Sequence, residues 1–277
     1  MIEELATCIA DHRNGSAAYE KLAAAARANA QRCFGPSAHM PQRFEPFGSI
    51  HLPYYEMGAI TSVHLFGIDE LIIFAFYWAN RHRYKRVADL GANIGLHTLV
   101  LDRCGFQVQS FEPDPETFEV LKQTQSSNDL ANVSLINAAV SRADGRAEFT
   151  RVMGNRTGSH LSGAKPDPYG ELETFSVDIK AFGPIARWAD LMKIDVEGHE
   201  KELMLSTDRN FWAGVDAIME VGTAENAAAI HAHLDAQGLK MFAQKIAWGR
   251  VSSLDDLPTS HREGSLFVTL KDAMPWG

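Results

Sequence analysis

With 277 residues, the chain is long enough to bury a sizeable core, and we expect one domain plus an extension rather than two full domains. Hydrophobic residues make up 45% of the chain and charged residues 22%, a balance that excludes a disordered or fibrous protein. The formal net charge of −9 and the lack of a dense Lys/Arg run disfavour a general nucleic-acid-binding protein.

The cysteines and the N-terminus bear on the compartment. Cys8, Cys33 and Cys104 are too few and too irregularly spaced for a disulfide framework, which predicts a reducing environment. The acidic N-terminus lacks the basic segment that begins a signal peptide. The longest apolar run, residues 71–79, is too short to span a bilayer. We therefore expect a cytoplasmic protein with no membrane span.

The first 65 residues are predicted to form an extension. Residues 2–33 are Ala-rich, with apolar residues spaced by three and four, which is typical of a helix. The Pro- and Gly-containing stretch 34–59 predicts an irregular connection. We interpret residues 1–65 as a helical and irregular extension, serving as a substrate lid or an oligomer contact. Residues 66–277 form the main domain, which opens with an apolar helix at 68–81.

From residue 86 the pattern alternates between short apolar strands and amphipathic helices, which predicts a parallel sheet flanked by helices. Strands are predicted at 87–90, 108–111, 133–138, 189–195 and 216–221. Helices are predicted at 95–104, 115–127, 199–207 and 224–237. The tail offers two further strands, 239–243 and 265–270, suited to an antiparallel pair that closes the sheet.

The alternation stops between residues 143 and 177. Residues 146–152 predict a short strand, and the Gly- and Pro-rich stretch 153–171 predicts a loop. In a doubly wound protein, a long insertion of this kind usually overlies the active edge of the sheet. Ser159, His160 and Ser162 would either contact substrate there or simply form turns.

The motif VADLGANIGLHT, residues 87–98, predicts a strand that turns sharply into a helix. Gly91 and Gly95 allow the backbone to approach a ligand, and the helix N-terminus offers unpaired N–H groups. Asn93 stands where G-x-G-x-x-G has its second glycine, so the diphosphate-binding loop is absent. Alone, such a turn is a weak sign of a nucleotide site.

A residue at the end of the second predicted strand strengthens the prediction of a nucleotide site. Glu112 follows Asp89 by 23 residues, and an acid at that place can accept both hydroxyls of a ribose. Together with the glycine turn, Glu112 indicates a ligand that contains adenosine. Because the phosphate loop is missing, the ligand need not carry phosphate, which points to S-adenosylmethionine.

Four motifs together resemble the FkbM family of S-adenosylmethionine-dependent methyltransferases: DLGANIG, FEPDP, NAAVS and LMKIDVEGHE. The resemblance covers about residues 66–221, and K-x-D-x-E-G-x-E, from Lys193 to Glu200, is its most specific part. It implies an α/β, Rossmann-like class I methyltransferase fold, with a seven-stranded sheet, six strands parallel and the last antiparallel, and helices on both faces. It also implies methylation of hydroxyl groups on natural products, sugars or glycan components.

The resemblance assigns residues to the cofactor site. The methionine part would be bound by residues of the glycine turn and the strand before it: Asp89, Gly91, Asn93 and Gly95. Glu112 would hold the ribose, and Asn137 and Ala138 would border the adenine. Glu70 would either meet the ammonium group of the cofactor or only stabilise a helix N-terminus.

Ionisable residues gather at the end of the fourth predicted strand. Ligands bind beyond the carboxyl ends of the strands in such sheets, so Lys193, Asp195 and His199 would meet Glu220, from the fifth strand, near the methyl group. His199 would act as general base, bind substrate by a hydrogen bond, or lie at the surface as a helix-end residue. Asp195 would orient His199, accept the proton itself or contact the cofactor. Lys193 would neutralise the carboxylates.

Several functions remain open on the sequence alone. We expect O-methylation of a hydroxyl on a small metabolite, natural product or sugar. The alternatives are N- or carboxyl-methylation, a non-catalytic cofactor-binding partner subunit, and an NAD-dependent oxidoreductase, against which the missing G-x-G-x-x-G counts. A divalent metal such as Mg²⁺, held by Asp195, His199 and Glu220, is a less favoured variant.

Overall fold

A computed structural model describes residues 1–37, 40–164 and 171–276 of the chain. Within these residues the helices are α1 (Ile2–Leu5), α2 (Ala17–Phe34), α3 (Ile68–Ala79), α4 (Leu96–Arg103), α5 (Pro115–Ser127), α6 (Phe182–Trp188), α7 (Glu200–Leu205) and α8 (Ala224–Ala236). The strands of the main sheet are β3 (Arg86–Leu90), β4 (Gln107–Phe111), β5 (Val133–Ile136), β10 (Leu191–Ile194), β11 (Asp216–Met219), β12 (Lys240–Ala243), β13 (Gly249–Arg250) and β14 (Leu266–Thr269). The other strands are β1 (Gln42–Arg43), β2 (Ser49–Ile50), β6 (Ala139–Ser141), β7 (Gly145–Val152), β8 (His160–Leu161) and β9 (Leu172–Ala181).

The main sheet has the order β13-β12-β14-β11-β10-β3-β4-β5. The five strands from β11 to β5 are parallel to their neighbours in this order, whereas β14 lies antiparallel between β11 and β12. Six strands therefore run in one direction, and β14 and the edge strand β13 run in the other, so the predicted α/β fold and the antiparallel closing pair are confirmed. The predicted count of seven is one too low, because β13 adds a two-residue antiparallel edge to β12.

Helices cover both faces of this sheet. Successive strand residues point to opposite faces, so Val87 and Leu191 pack with α2, α3 and α4, whereas Ala88 and Met192 pack with α6, α7 and α8. Helix α3 is apolar nearly all round and mostly buried, which fits its place between the sheet and the N-terminal extension. None of the helices in the described part of the chain has the length and apolar character needed to cross a membrane.

The extension departs from the predicted single helix at 2–33. Helix α1 ends at Leu5, and a 3₁₀ turn follows at Ile9–His12. Gly15 has a φ of 77°, in the left-handed region, and Ser16 then caps α2 by accepting a hydrogen bond from the Tyr19 amide. The buried residues of α1 and α2 share one apolar core with α3 and α4. The extension is thus packed on the main domain rather than tethered beside it.

The insertion forms a second sheet that the sequence patterns did not reveal. Its order is β6-β9-β7-β8, and the pair β7–β9 is antiparallel over eight residue pairs. The stretch predicted as loop at 153–171 includes β8, and residues 165–170 lie outside the described part. Strand β9 was not predicted, although Phe175, Val177 and Ile179 alternate with polar residues along it.

Candidate active site

A cleft of about 660 Å³ lies beyond the carboxyl ends of the parallel strands. Each of the five parallel strands is followed by a residue that lines this cleft: Gly91 after β3, Glu112 after β4, Ala138 after β5, Asp195 after β10 and Glu220 after β11. The volume is in the usual range of about 300–1,000 Å³ for ligand sites. The main sheet therefore forms the floor of one cavity of suitable size.

The extension and the insertion form the roof. His64 and Leu65 come from the extension, and Arg156, Thr157 and Ser159 come from the turn between β7 and β8. The two segments are joined over the cleft, because the Ala59 amide donates to Gly154 O and the Arg156 amide donates to Met57 O. The insertion therefore covers the active edge, as its position in the sequence predicts.

Most of the predicted site residues meet in this cleft. Nine line it: Glu70, Gly91, Asn93, Glu112, Ala138, Lys193, Asp195, His199 and Glu220. Asp89, Gly95 and Asn137 are not among its lining residues: the first two are buried beside it, and Asn137 is exposed. Ser159 and His160 line the roof, whereas Ser162 pairs with Thr150 outside the cleft.

The glycine turn after β3 is held entirely by the protein itself. Gly91 has a φ of 79°, and a Cβ there would overlap the carbonyl oxygen of Asp195, so only glycine fits. The five amides from Gly91 to Gly95 all donate inside the chain; the acceptors are Phe111 O for the first two, then Glu112 Oε2, Asn93 Oδ1 and Ala92 O. No amide of this turn is left to bind a phosphate.

Asp89 lies under the turn and not in the cleft. One carboxylate oxygen accepts a hydrogen bond from Thr98 Oγ1 at 2.7 Å, while the other is buried without a hydrogen-bond partner. The nearest cation is Lys193, whose Nζ is 3.7 Å away. Asp89 thus supports the floor beneath the turn, whereas the family resemblance assigns it to the methionine part of the cofactor.

Gly95 and Asn137 shape the segments beside the cleft. Gly95 precedes α4 with a φ of 92°, and a Cβ there would overlap the side chain of Leu121. Asn137 donates from Nδ2 to Glu112 O at 2.7 Å and to Pro113 O at 3.1 Å. Asn137 thus fixes the chain that follows β4.

Lys193 is a buried counter-ion. Its Nζ donates to Gly91 O at 2.8 Å and lies 3.4 Å from Asp195 and 3.7 Å from Asp89. Burial alone would lower the pKa of Lys193, but the charges of Asp195, Asp89 and Glu70 outweigh burial and raise that pKa above its ordinary value. These contacts favour the interpretation that Lys193 neutralises carboxylates.

Glu112 is buried, and both of its oxygens are oriented. Oε2 accepts from the Asn93 amide and Oε1 from the Asp114 amide, each at 2.9 Å. Burial raises the pKa of Glu112 to about 8, while the two amide hydrogen bonds and Lys193 oppose the rise. Each oxygen retains acceptor capacity, so the carboxylate is pre-oriented to accept further hydrogen bonds at the cleft.

His199 sits immediately before α7, and its Nε2 is 3.0 Å from Ser141 Oγ. Burial lowers the pKa of His199, with Arg142 acting in the same direction and Glu202 against it. The ring is therefore neutral at pH 7, the form that a general base requires. Nδ1 can accept a proton in the tautomer in which Nε2–H donates to Ser141 Oγ.

Glu200, which follows β10, and Glu220, which follows β11, have different roles. Glu200 is buried and accepts hydrogen bonds from the Val196 and Gly198 amides, both at 2.9 Å, so it holds the turn that carries Glu197. Glu220 faces the cleft, and burial together with the charges of neighbouring carboxylates raises its pKa well above the ordinary value.

Glu70 pairs with a residue that sequence reasoning missed. Its Oε2 is 2.7 Å from His97 Nε2, and His97 Nδ1 is 3.1 Å from Tyr77 Oη. Burial acts to raise the pKa of Glu70, but His97 and then Lys193 outweigh it and keep the pKa below its ordinary value. His97 lies six residues after Gly91, within the motif of residues 87–98. Its position just after the glycine turn was the one sequence signal that could have placed it in the site.

Asp69 is a second missed residue at the edge of the cleft. Tyr19 of α2 donates to its carboxylate at 2.9 Å, and Gln244 donates at 2.5 Å. Burial raises the pKa of Asp69 to about 6. Tyr19 of the N-terminal extension therefore contacts the edge of the cleft through this carboxylate.

The cleft is strongly acidic. Its described lining contains seven carboxyl groups, Asp69, Glu70, Glu112, Asp114, Asp195, Glu197 and Glu220, against two permanent cations, Arg156 and Lys193. Such a site favours a positively charged ligand and disfavours a diphosphate. Within residues 1–37, 40–164 and 171–276, no group of three or more His, Cys, Asp or Glu is arranged to hold a metal ion.

Comparison with known proteins agrees with this geometry. The sequence model described as Methyltransferase FkbM domain matches residues 89–241. Methyltransferase 1 of Beauveria bassiana (strain ARSEF 2860) is 26% identical over 155 residues, which cover 48% of this chain and 62% of that protein. Methyltransferase sdnD of Sordaria araneosa is 26% identical over 159 residues, covering 46% and 61%. The chain thus spans about three fifths of the length of these relatives.

Two solved structures are similar in outline. One is a methyltransferase FkbM from Methylobacillus flagellatus KT, with 12% identity, a TM-score of 0.39, and coverage of 88% of this chain and 58% of that chain. The other is the human methyltransferase 10 domain containing protein, with 10% identity, a TM-score of 0.43, and coverage of 91% and 98%. Both scores are below 0.5, so neither structure adds to the assignment. The family match, at residues 89–241, spans more than half of the 277 residues, and the protein belongs to the FkbM methyltransferase domain family.

Proposed function

We propose that the protein transfers a methyl group from S-adenosylmethionine to a hydroxyl group of a small metabolite, natural product or sugar. One observation carries the proposal: an acidic cleft at the strand ends whose glycine turn has no amide left for phosphate. S-adenosylmethionine has a sulfonium and an ammonium group against one carboxylate and no phosphate. Its net positive charge suits seven carboxyl groups.

The residues of the cleft fit the parts of this cofactor. Glu112 would accept the ribose hydroxyls with a carboxylate that two amides already orient. Glu70 and Asp195 are the candidates for the ammonium group, and Ala138 would border the adenine. When bound, the cofactor supplies an electrophilic methyl group on sulfur. The chain supplies position, charge and a route for the acceptor proton.

The acceptor would approach from the side of His199. A neutral imidazole at this place can take the proton of a hydroxyl as the oxygen attacks, an effect worth about 10²–10⁴-fold in rate. An amine acceptor would need little help from a base, so the neutral His199 favours an alcohol over a nitrogen acceptor. Asp195, which is partly exposed in the cleft, is the alternative base.

The competing functions make different demands on the same site. An NAD-dependent oxidoreductase would need a turn that binds diphosphate, and the internally bonded amides of 91–95 disfavour it. A non-catalytic cofactor-binding subunit would have no need for the acids that surround the methyl position. Carboxyl-methylation would place an anionic acceptor in an acidic cleft, which is electrostatically unfavourable.

Two measurements test the proposal. S-adenosylmethionine or S-adenosylhomocysteine should raise the melting temperature; at one hundred times Kd the folded state gains about 2.7 kcal/mol. NAD at the same concentration should have no effect. Methyl transfer is then followed by mass spectrometry with a panel of hydroxyl, amine and carboxyl acceptors. Equal thermal shifts with NAD, or methylation of amines alone, would contradict the proposal.

A further inference from the structure

Arg151, in the middle of the insertion sheet, is the most heavily paired buried cation of the described chain. Its guanidinium binds Asp114 through two hydrogen bonds of 2.6 and 2.7 Å, and both side chains are only 3% exposed. It also contacts Glu116 at 2.8 Å and Glu173 at 2.6 Å, and lies 4.7 Å from the ring centre of Phe175. Arginine suits this place because its planar fork matches a carboxylate at two points.

The partner of Arg151 is tied directly to the ribose-binding candidate. Asp114 lies two residues after Glu112, and its amide donates to Glu112 Oε1 at 2.9 Å. The Asp114 carboxylate also accepts from the Glu116 and Thr117 amides and so caps α5. The position of Asp114 therefore sets both the start of α5 and one of the two hydrogen bonds that orient Glu112.

A second arginine of the insertion contacts the same segment. Arg156 binds Glu116 at 2.8 Å, on the first turn of α5, and lines the roof of the cleft. The insertion sheet thus holds the chain after β4 at two points, one buried and one at the edge of the cleft. No other charged side chain of the insertion within the described residues contacts Asp114.

We propose that Arg151 is a positioning residue for the cofactor: acting through Asp114, it keeps Glu112 in the orientation that accepts the ribose hydroxyls. The insertion sheet above the cleft is thereby linked, through Arg151 and Asp114, to the candidate ribose-binding residue Glu112. This inference rests on the proposed S-adenosylmethionine site. A purely structural Arg151 would instead anchor the insertion without any selective effect on the ribose.

The test compares two ligands that differ only at the ribose. S-adenosylhomocysteine carries both ribose hydroxyls, and its 2′-deoxy analogue lacks one of the groups that Glu112 would bind. Affinities are measured by calorimetry for the wild type and for Arg151→Met. The expected result is a loss of about 10-fold for S-adenosylhomocysteine, within the range of a weakened charge-assisted hydrogen bond, and less than about twofold for the deoxy analogue.

Two further variants keep the test decisive. Arg151→Lys preserves the charge beside Asp114 but not the two-point contact, so it should stay folded and show an intermediate, equally selective loss. Arg146→Met removes an exposed arginine of the same strand, which pairs with Ser176 and Asp178, and should alter neither affinity. If Arg151→Met does not fold, Arg151→Lys alone decides the outcome.

The outcomes separate the inference from the function on which it rests. If both ligands lose affinity equally in the folded Arg151 variants, Arg151 is only structural, and the cofactor site stands. If the wild type binds neither ligand, the proposed function itself fails. Combination with Glu112→Gln gives an internal check, because two residues acting on one contact should show losses that do not add.

Discussion

Replacing Lys193 of β10 by methionine tests whether this lysine is a counter-ion or a catalytic group. The change keeps the length of the apolar stem and removes the charge. In the wild type this charge lies 3.7 Å from the fully buried Asp89, 3.4 Å from Asp195 and in hydrogen-bond contact with Gly91 O. Methionine leaves Asp89 with a single hydrogen bond, from Thr98, and no cation beside it.

The expected loss of stability follows from this burial. Removing one partner of a buried ion pair costs about 3–5 kcal/mol, because the remaining charge stays desolvated. For a domain of this size, each kcal/mol corresponds to about 2–4 °C in melting temperature, so Lys193→Met should melt about 6–20 °C lower. An exposed ion pair contributes only about 0–1 kcal/mol, which sets the scale for a control.

Guanidinium denaturation provides the measurement, with the midpoint compared at constant slope. The matched control is Lys201→Met, which removes a lysine paired with the largely exposed Glu225 at 2.9 Å. Lys193→Met should shift the midpoint several times more than the control does. If the two variants are equally stable and only the methyl-transfer rate falls for Lys193→Met, the counter-ion interpretation is wrong and Lys193 belongs to the catalytic groups.

Three further predictions concern the carboxylates and the candidate base. Glu112→Gln should weaken S-adenosylmethionine binding by about 1.5–3 kcal/mol at about pH 9, where Glu112 is ionised. If calorimetry shows unchanged affinity, Glu112 does not bind the ribose. His199→Ala should lower single-turnover methyl transfer by about 10²-fold with nearly unchanged cofactor Kd, and a wild-type rate would leave Asp195 as the base. The ligand-free protein should lose stability as the pH rises from about 4.5 to about 8. Burial raises the pKa of Glu112 to about 8 and that of Glu200 to about 7, so stability present below their unfolded values is lost as each deprotonates in the folded state. Denaturation midpoints that rise over this interval would contradict the assignment.

Local patterns were sufficient for the central part of the fold. Strands β3, β4, β10 and β11 are short apolar runs that end in turn or acidic residues, and each begins and ends within two residues of its predicted bounds. The turn at Gly91 could be predicted, because glycine readily adopts the left-handed backbone conformation that such a turn requires. The strand-end acids followed from the rule that parallel strands present their carboxyl ends at one edge.

The sequence by itself therefore determined the α/β fold, the position of the cleft and nine of the residues that line it. Tertiary structure alone decided which polar groups are already engaged. Asp89 turns into the floor toward Thr98, His199 meets Ser141 across 58 positions, and Arg151 reaches Asp114 across 37. These pairs join segments that are distant along the chain, and burial makes them matter because a desolvated charge requires a partner. No periodicity within one segment records where such a partner will come from.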